Sequence, residues 1–200
     1  MRRFALVADL GGTKIAVARV EDTGRITHRS LAPTPSAGGV AVVETMIGLL
    51  RQLPVEGVGA LGVDVPGLAG PGGIVWAPNL PGWEHMPLGN ALRRRFNLPV
   101  LVESDRNAFV TGEAWQGVAR ECRDVVFIAI GTGIGAGIIS GGRLLRGYGE
   151  LAGCLGWMGF ATGLSQSTKR WAAWNPMWQD PVSPVPLSAF FGAPPMLGKW

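Results

Sequence analysis

An α/β layer architecture whose opening unit is used twice is the fold class this sequence predicts. Two observations lead to it. Short apolar runs bounded by Gly and Pro alternate with stretches of helical period, in the order strands, helix, strand, helix, strand, helix. A strand, a glycine turn and a second strand also occur at residues 4–20 and again at 125–139. Composition agrees: the chain is 47% hydrophobic and 16% charged, which suits a packed core, and 31 glycines favour tight turns and close backbone approaches.

The elements follow in order. Phe4 to Leu10 is a short apolar run, Gly11-Gly12-Thr13 turns the chain, and Ile15 to Val20 and Arg25 to Ala32 complete a three-stranded meander. Ala37 to Leu53 places Val42, Val43, Met46, Ile47 and Leu50 at helical spacing, and Pro54 stops it. Val58 to Val65 is a strand that ends in Pro66-Gly67, and a Gly/Pro-rich loop region runs on to Trp83. Leu88 to Phe96 is a short helix, Pro99 to Val102 a buried strand, and Asp105 to Ala119 a further helix. After a hinge near 115–123, Val125 to Ile130, Ile134 to Ile139 and Arg143 to Leu145 make a second set of strands.

Charge and cysteine content narrow the function classes. The net charge is +4, and its one dense cluster, Arg93-Arg94-Arg95, closes a helix, where cations meet the dipole favourably. The expectation is therefore no nucleic-acid partner. The two cysteines, Cys122 and Cys154, imply neither a disulfide framework nor a Cys-based metal site, and a reducing cytoplasm is the natural compartment. The apolar run behind Met1-Arg2-Arg3 is broken by Asp9 and Lys14, so neither a leader nor a membrane span is expected there.

Three local patterns carry chemistry. In Asp9-Leu10-Gly11-Gly12-Thr13-Lys14 the two glycines let backbone N–H groups approach a phosphate, Thr13 and Lys14 add donors, and Asp9 at the strand end can hold Mg²⁺ through water. An ordinary hairpin explains the same residues. Gly131-Thr132-Gly133-Ile134-Gly135 repeats the pattern between two strands, and the pair argues for phosphate binding better than either alone. Glu103-Ser104-Asp105-Arg106-Asn107 follows a buried strand and opens a helix. Taken locally, Asp105 reads first as a helix cap, and second as the general base that a kinase needs to accept a hydroxyl proton.

Five ordered segments together resemble the ROK family of sugar kinases: Asp9 to Lys14, Gly62 to Gly67, Trp76 to Trp83, Glu103 to Glu113, and Gly131 to Gly135. The resemblance covers roughly residues 4–158. It implies the actin-like ATPase (ribonuclease H-like) fold, with a complete first lobe (1–118), a partial second lobe (119–160) and an atypical Trp/Pro-rich tail (161–200). It further implies ATP and Mg²⁺ as cofactors and a hexose as acceptor. Asp9, Gly11, Gly12, Thr13, Lys14, Gly131, Thr132 and Gly133 would then face the nucleotide, Asp9 reaching Mg²⁺ through water. Pro66, Gly67, Asn79, Ser104 and Asp105 would bind sugar, with Asp105 as the catalytic base. Family analogy also points to a homodimer. A ROK-type regulator would need a helix-turn-helix domain, and none fits before Phe4. A catalytically dead remnant or sugar-binding pseudokinase is the other alternative.

The sequence departs from that family in three places. Ser104 stands where the family carries Asn before its base. Gly153-Cys154-Leu155-Gly156-Trp157 stands where the family has Gly-Glu-Ile-Gly-His, which leaves the sugar unspecified, and no cysteine-rich zinc motif follows, so no zinc is expected. The tail from about Trp171 has neither helical nor strand period. Its codons, read from the third base of each preceding one over Ala173 to Pro186, permit Leu-Glu-Ser-x-Val-Ala-Gly-Pro-Gly-Ile-Ala-Arg-Ala, which resembles a ROK segment. The Glu, the Val and the Ala after it are forced by Trp174, Trp178 and their neighbours. A frameshift between about Met158 and Trp171 follows as an expectation. With it come a weak or inactive product and exposed apolar surface on strands 125–145. Resequencing the locus tests it: the alternative frame should carry this phrase, and its absence there would discard the idea.

Overall fold

The computed structural model describes residues 3–130 and 133–157. Residues through Cys154 form one unit, and of the second only Leu155–Trp157, a 3₁₀ turn, is described. Gly131, Thr132 and the tail at 161–200 lie outside the described residues.

The first sheet begins as the expected meander. Strands β1 (Phe4–Leu10), β2 (Lys14–Glu21) and β3 (Ile26–Pro33) pair antiparallel in sequence order. Helix α1 (Gly39–Leu50) is shorter at both ends than its apolar spacing suggests, and a turn at 51–53 leads into Pro54. Strand β4 (Val58–Val65) then returns parallel to β1. Two brief strands, β5 (Leu68–Ala69) and β6 (Val75–Trp76), form a hairpin in the stretch read as loop. Two residues are too few to display a strand period. Helix α2 (Leu88–Phe96) ends at Asn97, which takes the left-handed conformation at φ 51°. Strand β7 (Val100–Ser104) pairs parallel with β4 and leads directly into α3 (Asp105–Gln116). The resulting order is β3-β2-β1-β4-β7.

Alternation along these strands explains the core. Leu6, Ala8 and Leu10 of β1, Ile15 and Val17 of β2, Leu61, Val63 and Val65 of β4, and Val100 and Val102 of β7 are buried. They share one cluster with Val42, Val43, Met46, Ile47 and Leu50 of α1 and with Leu88 and Leu92 of α2. Trp83 is fully buried in the same cluster, and its indole N–H donates to the Gly39 carbonyl at 3.2 Å. The Gly39 N–H in turn donates to the Pro81 carbonyl at 2.7 Å. The loop that carries Asn79 is thus pinned to the start of α1.

The arginine cluster at the end of α2 is engaged within the fold. Arg93 donates to the carbonyls of Gly72 and Val100, and Arg95 forms an ion pair with Glu44 at 3.1 Å.

The second sheet is β10-β9-β8, built from β8 (Val125–Ile130), β9 (Ile134–Ser140) and β10 (Arg143–Leu144). Helix α3 packs against β8 and β9, with the rings of Phe109 and Phe127 5.6 Å apart, and also touches β4 and β7. The opposite face of β8 is open: Val126, Ile128 and Ile130 are 61%, 55% and 81% exposed. Among the described residues β8 has no strand on its outer side. No helix among the described residues is long and apolar enough to cross a membrane.

Trp83 gives a direct test of this packing. Trp83→Ala should cost about 3–5 kcal/mol, read from urea unfolding, whereas Trp115→Ala, at a half-exposed position, should change stability by about 0.5 kcal/mol or less.

Candidate active site

The carboxyl ends of β1, β4 and β7 lie side by side, and each carries an acidic residue there. Lateral register pairs Asp9 with Asp64 and Asp64 with Glu103. Asp105 follows two residues after Glu103 and is the first residue of α3. In α/β sheets this end of the strands is where ligands bind.

The first glycine turn is held from below and open above. The Gly11 N–H donates to the Lys14 carbonyl at 2.9 Å, and the Thr34 hydroxyl donates to the Gly11 carbonyl at 2.7 Å. Gly12, Thr13 and Lys14 are exposed, as is Asp9. A side chain on Gly12 would meet nothing within 4 Å, so this surface is free to receive a ligand.

Strand β9, which follows the second glycine turn in sequence, packs closely on the start of α3. A Cβ at Gly137 would lie 2.1 Å from the Arg106 carbonyl oxygen, so only glycine lets β9 cross the first turn of α3 at this distance. Gly135 lies against the Arg106 side chain. Gly133, two residues earlier, is therefore carried toward the end of α3 that holds Asp105. Its expected partners Gly131 and Thr132 lie outside the described residues.

Pro66 and Gly67 follow β4, and the Gly67 backbone abuts that of Trp76 and Ala77. A Cβ at Gly67 would sit 2.1 Å from the Trp76 carbonyl oxygen. Asn79 is exposed just beyond. Ser104 is 1% exposed, and its hydroxyl has no hydrogen-bond partner. It occupies the N-cap position of α3 without making a side-chain cap bond. Asp105 is thus the first helical residue rather than the cap, and its carboxylate accepts the Arg106 backbone N–H at 2.7 Å.

Burial raises the Asp105 pKa above the usual carboxylate range, opposed by the hydrogen bond and charge of Arg106 and reinforced by Asp9. A base poised closer to neutrality is what proton abstraction requires. Asp64 is shifted further, to about 8, by burial first and then by the charge and hydrogen-bonding contact of Asp9 and the charge of Asp105.

Four residues to which the sequence patterns gave no role hold this edge together. Glu103 is buried, and its Oε1 accepts the Ser104 N–H at 2.9 Å and the Asn107 amide at 3.0 Å. Its Oε2 accepts Arg146 at 2.5 Å, and Arg146 also pairs with Glu150 at 2.9 Å. Arg106 is buried and donates to the carbonyls of Gly67, Glu150 and Ala152. It thereby ties the loop after β4 to the 150–152 turn. Cys154 is half-buried beside this group, and burial pushes its thiol pKa up.

The ROK family sequence pattern matches residues 6–168. An N-acetylmannosamine kinase from Citrobacter koseri is 35% identical over 76% of this chain and 52% of its own length. A ROK family glucokinase from Streptomyces griseus, solved in complex with glucose and AMPPNP, superposes with a TM-score of 0.72 at 34% identity, over 79% of this chain and 51% of that one. A xylose repressor from Caldicellulosiruptor bescii is 35% identical over 58% of this chain and 29% of its own. The chain spans about half the length of the first curated relatives that it matches.

Asp64 makes stability pH-dependent in a defined direction. Its folded pKa of about 8 exceeds the unfolded value near 3.8, so the native state binds the extra proton and loses stability as pH rises between them. Asp64→Asn should remove that loss. Without divalent cations, the variant should match the wild type near pH 4 and exceed it near pH 8.5 by at most about 6 kcal/mol, as measured by denaturant unfolding.

Proposed function

This chain belongs to the ROK family, and from that premise we propose that its site is built to transfer the γ-phosphoryl group of ATP to a hexose hydroxyl, with Asp105 as general base. The fold is the actin-like α/β fold of the ROK sugar kinases, present in part. The observation that carries the reading is the position of Asp105. It is a partly buried carboxylate with a raised pKa, at the strand edge that carries the open first glycine turn and where β9 packs on the first turn of α3.

The roles follow from chemistry. Asp105 takes the proton of the attacking hydroxyl, and Arg106, through its backbone N–H, fixes the carboxylate that does so. Gly11, Gly12, Thr13 and Lys14 offer donors to the phosphates, as do Gly131, Thr132 and Gly133 in the second hairpin. Pro66, Gly67 and Asn79 shape the acceptor side, and a sugar hydroxyl would satisfy the unpartnered Ser104 hydroxyl. The donor set near the phosphates is all hard oxygen, and Asp64 contributes a buried carboxylate oxygen without a partner, so these residues fit Mg²⁺. Asp9 would hold it through water, and when bound it would neutralise phosphate charge. The S. griseus relative, held with glucose and AMPPNP, supports both ligand classes.

A second reading, a remnant that binds ligand without turnover, is favoured by the open apolar face of β8. A coupled assay of ADP release with Mg²⁺, ATP and a hexose panel separates the two. The expected result is weak, sugar-dependent release that Asp105→Asn lowers by about 10²–10⁴-fold. Release unaffected by the substitution would remove Asp105 from its role. Hexose binding without any release would establish the second reading.

A further inference from the structure

Asp9, Asp64 and Glu103 form a row across three neighbouring parallel strands. Residues in lateral register on parallel strands project from the same face of the sheet. The row grades from open to closed: Asp9 is exposed, Asp64 intermediate and Glu103 buried. Its members also differ in how their charge is answered. Glu103 has Arg146 and two N–H donors. Asp64 has no such partner, since its Oδ1 is buried and accepts no hydrogen bond. Its lateral neighbour on β1 is the carboxylate-bearing Asp9. Among the described residues no lysine or arginine forms an ion pair with Asp9 or Asp64.

Two adjacent carboxylates without a counter-charge are unfavourable in a partly buried site. A proton or a cation relieves them. A protein cage for zinc or calcium does not fit, because among the described residues no three His, Cys, Asp or Glu side chains gather closely enough to enclose a metal. One or two carboxylates with water and substrate phosphates in the remaining positions is instead the usual protein share of a Mg²⁺ site.

We propose that Asp64 is a second carboxylate for the divalent cation of the nucleotide complex, acting beside Asp9. This rests on the reading above that Asp9 faces that cation. Cation binding gives the buried Oδ1 its partner.

The test is Mn²⁺ binding to the full 200-residue chain, followed by electron paramagnetic resonance with and without AMPPNP. Wild type, Asp64→Asn and Asp9→Asn are compared, and circular dichroism confirms that each is folded. Asp64→Asn is isosteric and resembles the protonated side chain, so it should fold. The expected result is a loss of about ten- to a hundredfold in Mn²⁺ affinity in each variant, with an Mn²⁺-induced rise in Tm seen in wild type and missing in Asp64→Asn. Full Mn²⁺ affinity in Asp64→Asn together with its loss in Asp9→Asn would overturn the role of Asp64 and leave that of Asp9 standing. No Mn²⁺ binding by folded wild type, with or without AMPPNP, would overturn both.

Discussion

The lateral register of β1, β4 and β7 is the constraint on which the rest of the site depends. Parallel pairing brings three carboxyl ends to one edge, and the pairs Asp9–Asp64 and Asp64–Glu103 follow from it. A one-residue slip of β4 would turn Asp64 into the apolar core and Val63 or Val65 out of it. The core resists that slip, because Leu61, Val63 and Val65 pack with Leu6, Ala8 and Leu10 on the face covered by α1 and α2. Burial of one face therefore fixes the chemistry of the other.

Close backbone approach supplies the second half of the arrangement. Gly137 lets β9 cross the opening turn of α3, and Gly67 lets the loop after β4 lie against Trp76 and Ala77. Arg106 then joins the two sides by donating to Gly67 and to the 150–152 turn. Its buried guanidinium is engaged by three backbone carbonyls. It sits where it both orders these segments and tempers the Asp105 pKa.

Much of this is legible in the sequence, and the omissions have physical causes. Apolar runs and glycine turns locate the meander, β4, β7 and both glycine hairpins, because those elements are long enough to show a period. The β5–β6 hairpin is too short to do so. Asp9 and Asp105 stand out because a local motif surrounds each. Asp64 does not, since its importance comes from the strand beside it, and register between strands distant in sequence is invisible in one chain. The roles of Glu103, Arg146 and Glu150 are missed for the same reason: residues 43 apart form the ion pair that closes the row. The exposed apolar side chains on β8 were expected from a partial second lobe, and Val126, Ile128 and Ile130 are exposed.

The central claim is that this strand edge is a sugar-and-nucleotide site, whether or not the 200-residue chain completes a turnover. Calorimetric titration of the folded chain with hexoses, in wild type and in Asn79→Ala, tests it most directly. The account predicts saturable binding of a hexose by wild type, weakened by the loss of the Asn79 amide. Folded wild-type protein that binds no hexose, with or without Mg²⁺ and AMPPNP, would contradict it.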